Sequence, residues 1–249
     1  MKVRKPHPRG GPMQIVAFNS SPRDNETSKT ELILQKFLAG ARRAGASTET
    51  IYLRRYQIKD CLGCFSCWLK DLGRCVQKDD MAELLFQHYL KAEVAVLATP
   101  IYYMTMNARM KAFIDRTLPL MDPLAEVGPE GGHPYRYEKV PKVAALSVCA
   151  FWDQSMFQPL SLNMKMIFGR DLIAEIYRHS SEALTVPELR PQVDQVLAAV
   201  AQAGEELVRD GQIKEETMAA LTQELAPASI MQEMSRQYWA QAMELAGNK

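Results

Sequence analysis

The chain has 249 residues, 47% of them hydrophobic and 24% charged, which suits one domain with an elaboration or a small appendage. Lys plus Arg total 30 and Asp plus Glu 29, so no strong field draws the chain to nucleic acid or to a membrane surface. No apolar run approaches the ~20 residues that span a bilayer, and the charged start lacks the apolar segment of a secretory signal. A cytoplasmic protein is expected.

Residues 1–12 are basic and rich in Pro and Gly and read as a disordered arm. The apolar run at 14–18 reads as a buried strand that stops at Asn19-Ser20-Ser21-Pro22-Arg23. Residues 28–43 place Leu32, Ile33, Phe37 and Leu38 at helical spacing, with Gly45 as a stop. A second strand is expected over 48–53. The segment 61–78 carries four of the five cysteines together with Gly63 and Gly73, lacks a clean period, and reads as a loop. Asp79-Asp80 then caps a helix running to about residue 90.

Residues 93–98 (EVAVLA) form a continuous apolar strand of the kind buried on both faces of a parallel sheet. A helix follows over 108–118, ended by Pro119, then a strand over 142–149 (KVAALSVC). A Met-rich helix spans 160–168 up to Gly169, and a last short strand spans 172–177. This fivefold alternation predicts an α/β domain over 13–185, a parallel sheet with helices on both faces. Pro187 and Pro191 open a polar, Ala- and Glu-rich tail, 186–249, of two or three helices. That helical extension either caps the domain or forms a partner-binding, dimer-forming element.

Ligands of open parallel sheets bind beyond the carboxyl ends of the strands, where strand order reverses. The first loop there, 19–30, offers the hydroxyls of Ser20, Ser21, Thr27 and Ser28, the cation of Arg23 and a helix N-terminus. Such a terminus suits a phosphate, although Ser or Thr there also serves as a plain N-cap. Neither GxxxxGK nor GxGxxG occurs. In the second loop, 99–116, Pro100 stiffens the turn, and Tyr102, Tyr103 and Met104 either face a planar ring or pack on the helix below.

With SPR and Thr27-Ser28 after the first strand, and TPIYY…MKAFIDR after the third, the chain resembles the NADPH-dependent FMN reductase-like families of the flavodoxin superfamily. The resemblance covers about residues 13–180. It implies a flavodoxin-like three-layer sandwich with a five-stranded parallel sheet in the order 2-1-3-4-5. It also implies FMN, its phosphate held by Ser21, Arg23, Thr27 and Ser28. Pro100, Ile101, Tyr102, Tyr103 and Met104 would lie along the isoalloxazine, and Ser147, Val148 and Cys149 would close the site. The family pattern has glycine beside SPR and Gly-Asn before the Thr; this chain has Ser20, Asn25 and Glu26.

Cysteines clustered in a cytoplasmic chain point to metal, cluster or redox chemistry before a disulfide framework. The run Cys61-x2-Cys64-x2-Cys67-x7-Cys75 also resembles the compact motif of the iron–sulfur flavoproteins. By that resemblance Cys61, Cys64, Cys67 and Cys75 are the metal ligands of a [4Fe–4S] cluster; zinc and free redox-active thiols remain the alternatives. Cys149 reads as a buried residue of a strand end. His7, His88, His133 and His179 are scattered and suit structural or solvent roles. The loop 122–139, with Gly131, Gly132, His133, Tyr135 and Tyr137, is either a lid or a surface excursion. Asp115 and Arg116 read as a local ion pair.

The expected activity is an FMN oxidoreductase in which NAD(P)H reduces the flavin, and the flavin reduces a small-molecule acceptor such as a quinone, flavin or nitro compound. No side chain is assigned as acid or base. The alternatives are an iron–sulfur electron carrier served by a ferredoxin-like protein, and a flavin-binding regulatory module without turnover. A homo-oligomer is expected.

Overall fold

A computed structural model describes residues 11–24, 26–124 and 134–247. Most of the expected arm, with His7, lies outside these residues, as do Asn25 and the Gly131, Gly132 and His133 stretch of the expected lid.

Strand β1 (Gln14–Asn19) leads through a short loop to helix α1 (Lys29–Arg43). Ser28 caps α1 by accepting from the Glu31 backbone N–H at 3.1 Å. Arg42 and Arg43 stand in its last turn, where cations complement the helix dipole. Strand β2 (Ser47–Tyr52) is followed by the cysteine segment, which folds one short helix, α2 (Ser66–Leu69), inside the expected loop.

The helix expected from residue 79 is a single turn, α3 (Met81–Glu83), that widens into a π-helix over Leu84–Tyr89. The wide turn, closed by Leu90 N–H to Leu85 O at 2.9 Å, buries Leu84, Leu85 and Tyr89 together. Asp80 caps nothing; its carboxylate accepts from the Gln57 N–H at 2.6 Å, and Asp79 accepts from the Met81 N–H instead.

Strand β3 (Val94–Tyr102) turns back into a two-residue strand, β4 (Thr105–Met106). Helix α4 (Ala108–Asp115), strand β5 (Lys142–Val148), helix α5 (Gln158–Phe168) and strand β6 (Leu172–Arg178) follow. Three helices complete the chain: α6 (Arg190–Asp210), α7 (Glu215–Thr222) and α8 (Ala228–Gly247). The main strands pair in parallel in the order β2-β1-β3-β5-β6, the flavodoxin-like order anticipated for five strands. Antiparallel β4, paired to β3, is the addition that the sequence reading lacked.

Period-two burial on a two-sided sheet explains the apolar runs. Ile15, Ala17, Val94, Val96, Ala144 and Leu146 face α1 and α6. Val16, Phe18, Ala95, Leu97, Val143 and Ala145 face α4, α5 and the π-helix. Helices α1 and α6 cross at backbone contact. A Cβ on Gly40 would stand 1.7 Å from Ala201 O, and one on Gly204 would stand 2.0 Å from Phe37 O.

Helix α7 is tied to the end of β6 by two buried side chains. Arg178 Nη1 donates to Leu221 O at 3.0 Å and Gln223 O at 2.7 Å, and His179 Nε2 donates to Thr222 O at 2.9 Å. The carbonyl end of α7 thus supplies the negative partial charge for Arg178. Burial, then Arg178, hold the His179 pKa below its ordinary value. Among the described residues no helix is long and apolar enough to cross a membrane.

Two outcomes follow. Gly204→Ala destabilises the protein by about 3 kcal/mol, the upper part of the range for overpacked cores, read as a lowered urea midpoint at unchanged slope. A histidine held neutral contributes stability that is present above its unfolded pKa of about 6.5 and lost as pH falls below it. The thermal midpoint therefore drops between pH 7.5 and pH 5, and His179→Gln reduces that slope.

Candidate functional site

Strand order reverses between β1 and β3, the position at which open α/β sheets bind ligands. A pocket opens there at the carboxyl edge. Ser21, Arg23 and Ser28 line it from the first loop, and Pro100, Ile101 and Tyr102 from the end of β3. Val148 and Cys149 close it from β5. The sequence reading missed Lys29 and Thr30 of α1, and Ser181 and Glu182 of the loop after β6. Lys29 and Thr30 lie within the first loop as read from the sequence, and the polar Ser180-Ser181-Glu182 after the last strand is the signal for the other two.

The first loop is shaped by a buried carboxylate. Glu31 accepts from Asn19 Nδ2 at 2.6 Å and from the Tyr52 hydroxyl at 2.7 Å. Asn19 Oδ1 in turn accepts from the Ser21 N–H at 2.8 Å, and Ser28 donates its hydroxyl to Ser21 Oγ at 2.8 Å. The loop is also held from β3 and α4: Ser20 N–H donates to Ala98 O at 2.9 Å, and Asn107 Nδ2 donates to Ser20 O at 2.7 Å. Asn107 caps α4 as well, accepting from the Met110 N–H at 3.1 Å.

Two cations stand at this end of the pocket. Arg23 pairs with Glu182 at 3.4 Å with both side chains half exposed, and Lys29 Nζ donates to Thr185 Oγ1 at 3.0 Å. Thr27 and Glu26 are exposed on the turn, and Thr27 does not line the pocket.

Tyr103 and Met104 form the two-residue turn between β3 and β4, with φ of 45° and 67°. Positive φ at both central positions is the type I′ hairpin geometry, which favours Asn-Gly. Two side-chain-bearing residues there carry strain, and Tyr103 is fully exposed at the tip. Neither lines the pocket, whereas Tyr102 does. Ser147 is buried beneath the pocket, its hydroxyl donated to Thr99 O at 2.6 Å, which ties β5 to β3. Burial pushes the Cys149 thiol up to about 12, so at neutral pH it is a protonated, unreactive lining group.

A second pocket is lined by Cys61, Cys64, Cys67 and Cys75, all free, with Arg116 and Leu118 from the end of α4. Gly63, Phe65 and Gly73 all adopt positive φ, which explains the missing periodicity of this segment. Hydrogen bonds from the Ser66 side chain and backbone pull the Cys64 thiol pKa down, while burial, followed by the neighbouring Cys75, pushes that of Cys67 up. A single zinc held at about 2.3 Å by four thiolates needs sulfurs within about 3.8 Å of one another. Among the described residues no group of three or more His, Cys, Asp or Glu is gathered to hold one ion.

Arg116 does not pair with its neighbour. Asp115 pairs with Lys111 at 2.7 Å. Arg116 makes a bidentate contact with Asp79 at 2.7 and 3.0 Å, both side chains 1% exposed, and donates to Lys59 O at 2.8 Å. Asp79 also accepts from the Lys59 N–H at 2.9 Å. Burial disfavours both charges, but the mutual hydrogen bonds outweigh it: the Asp79 pKa is lowered and the Arg116 pKa raised, Cys75 adding to the latter.

Residues 13–151 match the family described as NADPH-dependent FMN reductase. An iron–sulfur flavoprotein of Archaeoglobus fulgidus is 36% identical over 107 residues, covering 43% of this chain and 46% of that protein. One of Methanosarcina thermophila is 30% identical over 106 residues, covering 43% and 53%. The matched stretch thus spans about half the length of these relatives. Among solved structures, an NAD(P)H:quinone oxidoreductase from Methanothermobacter marburgensis superposes with a TM-score of 0.58 at 14% identity, covering 79% of this chain and 96% of that one. An FMN-dependent NADH-azoreductase from Bacillus anthracis, in complex with FMN, gives 0.58 at 14% identity over 79% and 99%. At such identity these two speak for the fold.

The hairpin strain is measurable. Replacing Tyr103 by Asn and Met104 by Gly together, the pair that the turn prefers, raises stability by about 1–2 kcal/mol in chemical denaturation. An unchanged or lowered midpoint contradicts the strain.

Proposed function

Because the chain belongs to the NADPH-dependent FMN reductase family, we propose that it binds FMN at the carboxyl edge of its sheet and passes electrons from a reduced nicotinamide to a small acceptor. The observation that carries the reading is the junction of two chemistries in one pocket. Hydroxyls, cations and a helix N-terminus meet at Ser21, Arg23, Ser28 and Lys29, and a largely apolar wall runs along Pro100, Ile101, Tyr102 and Val148. A phosphate and a planar ring on one ligand fit those two ends.

In this reading α1 and Arg23 bind the phosphate, Glu31 orients Asn19 and so the Ser21 N–H, and the β3–β4 hairpin flanks the ring. Thr27, Tyr103 and Met104 are kept as contacts that a bound flavin draws in, and Ser147 as a support of the β5 wall. Bound FMN supplies the redox chemistry; the chain supplies position and electrostatics. Cys149 contributes a neutral wall beside the ring. Quinone, flavin and nitro compounds are the acceptor classes.

A second reading, an iron–sulfur flavoprotein electron carrier, is favoured by the ring of four cysteines on one pocket and by the names of the relatives. A [4Fe–4S] cluster takes one thiolate at each of four irons, so its ligands need not converge on a single ion. Cys61, Cys64, Cys67 and Cys75 would hold it and a ferredoxin-like protein would serve it. The two readings share the flavin and differ in iron.

Protein purified without oxygen is expected to take up FMN, with flavin absorbance and quenched flavin fluorescence, and to oxidise NAD(P)H with a quinone as acceptor. About four irons per chain selects the electron carrier, and iron-free yellow protein selects the reductase. Arg23→Ala weakens FMN about tenfold or more, the worth of a hydrogen bond to a charged group, and weakens riboflavin little. A colourless protein that takes up no added FMN sinks both readings.

A further inference from the structure

The cysteine pocket is walled on its inner side by Arg116. The guanidinium donates to Asp79 and Lys59 O and shares the pocket lining with Cys75. Asp79 and Lys59 take its Nη1 and Nη2, whereas Nε is buried with no hydrogen-bond partner. A buried N–H left unmade is costly, and here it belongs to a side chain that lines the ring of thiols.

Resting on the iron–sulfur reading above, we propose that Arg116 is the positioning residue of the cysteine site. Its Nε–H is held for a sulfur ligated at Cys75, and the Arg116–Asp79 dipole sets the reduction potential of the cluster bound there. Cluster potentials respond to net charge and to hydrogen bonds at the sulfurs. A four-thiolate cluster gains one negative charge on one-electron reduction, so the nearby guanidinium favours the reduced form. Asp79, on the far side of the guanidinium, opposes it. Pairing the two leaves a dipole whose positive end meets the site.

Removing either partner then has opposite consequences for the potential, which a plain structural clamp does not produce. The experiment uses full-length protein purified anaerobically and reconstituted with iron and sulfide. It compares the parent with Arg116→Gln, Arg116→Lys and Asp79→Asn by iron and sulfide content and by potentiometric titration of the cluster. The expected result is a shift to more negative potential in Arg116→Gln, or outright loss of iron there. Asp79→Asn shifts to more positive potential, and Arg116→Lys keeps its iron with a smaller negative shift. Potentials that stay at the parent value, or that move in one direction in all variants, overturn the proposal. Equal loss of iron in all three, Lys included, makes the pair a clamp and also overturns it. A parent chain that holds no iron after reconstitution overturns the iron–sulfur reading itself, whereas an iron-loaded parent with unmoved variants overturns only the role given to Arg116.

Discussion

The contact between Asp79 and Arg116 sets the geometry on which both candidate sites depend. Asp79 and Lys59 stand at the two ends of the cysteine segment, and Arg116 binds both. A stretch whose regular structure is the single turn of α2 is thereby closed as a loop on the end of α4. Such a buried pair adds little net stability against an apolar replacement, because desolvation cancels most of the attraction. Breaking one partner leaves a buried charge and costs about 3–5 kcal/mol, so the arrangement specifies one loop conformation. The other end of α4 is capped by Asn107, whose side chain also holds Ser20 O of the first loop. One eight-residue helix, about 12 Å long, thus registers the cysteine pocket and the carboxyl-edge pocket against each other.

Strain collects at the same edge. The residues other than glycine with positive φ, among those described, are Phe65, Tyr103, Met104 and Ser180. They follow β2, β3 and β6 respectively, all beyond the carboxyl ends of strands. The opposite edge carries none among the described residues; in the core the local choices agree with the fold, with period-two burial in the strands and small residues where α1 and α6 touch. Positive φ gathered where ligands are expected marks a site carried by a scaffold that tolerates the cost.

The scaffold was legible because its signals are local. The apolar runs of β1, β3 and β5 are buried on both faces, and Ser28, Gly45 and the Leu32–Ile33–Phe37–Leu38 spacing delimit α1. What sequence reading missed is mostly long-range or marginal. Arg116 was paired with the adjacent Asp115, but its partner lies 37 residues away, and no local pattern encodes that. The role of Glu31 depends on Asn19 and Tyr52 from two strands meeting over α1. The π-turn at Leu84–Tyr89 answers to which residues must be buried together, which tertiary packing decides. Strand β4 is two residues long and sits behind a turn whose residues, Tyr103 and Met104, contradict the Asn-Gly signal for its type. Of the candidate ring contacts, only those on the strand itself reach the pocket wall; the hairpin tip projects beyond it.

Where the family pattern has Gly-Asn before the Thr, this chain has Asn25 and Glu26, and an acidic residue beside a phosphate would be an electrostatic objection to binding there. The geometry moves that objection elsewhere. Glu26 is exposed on the turn, while Glu182, from a loop that the motif does not include, lines the pocket and pairs with Arg23. The pair is half exposed at 3.4 Å, so water screens it and it holds the guanidinium weakly. A phosphate dianion placed at the N-terminus of α1, as proposed, would compete for Arg23 with more charge, more acceptors and the helix dipole behind it. In the proposed reading Glu182 would lower the affinity for the phosphate without blocking it, since its hold on Arg23 is weak. On that reading the retained cation, more than the acidic neighbour, would decide what this edge of the sheet selects.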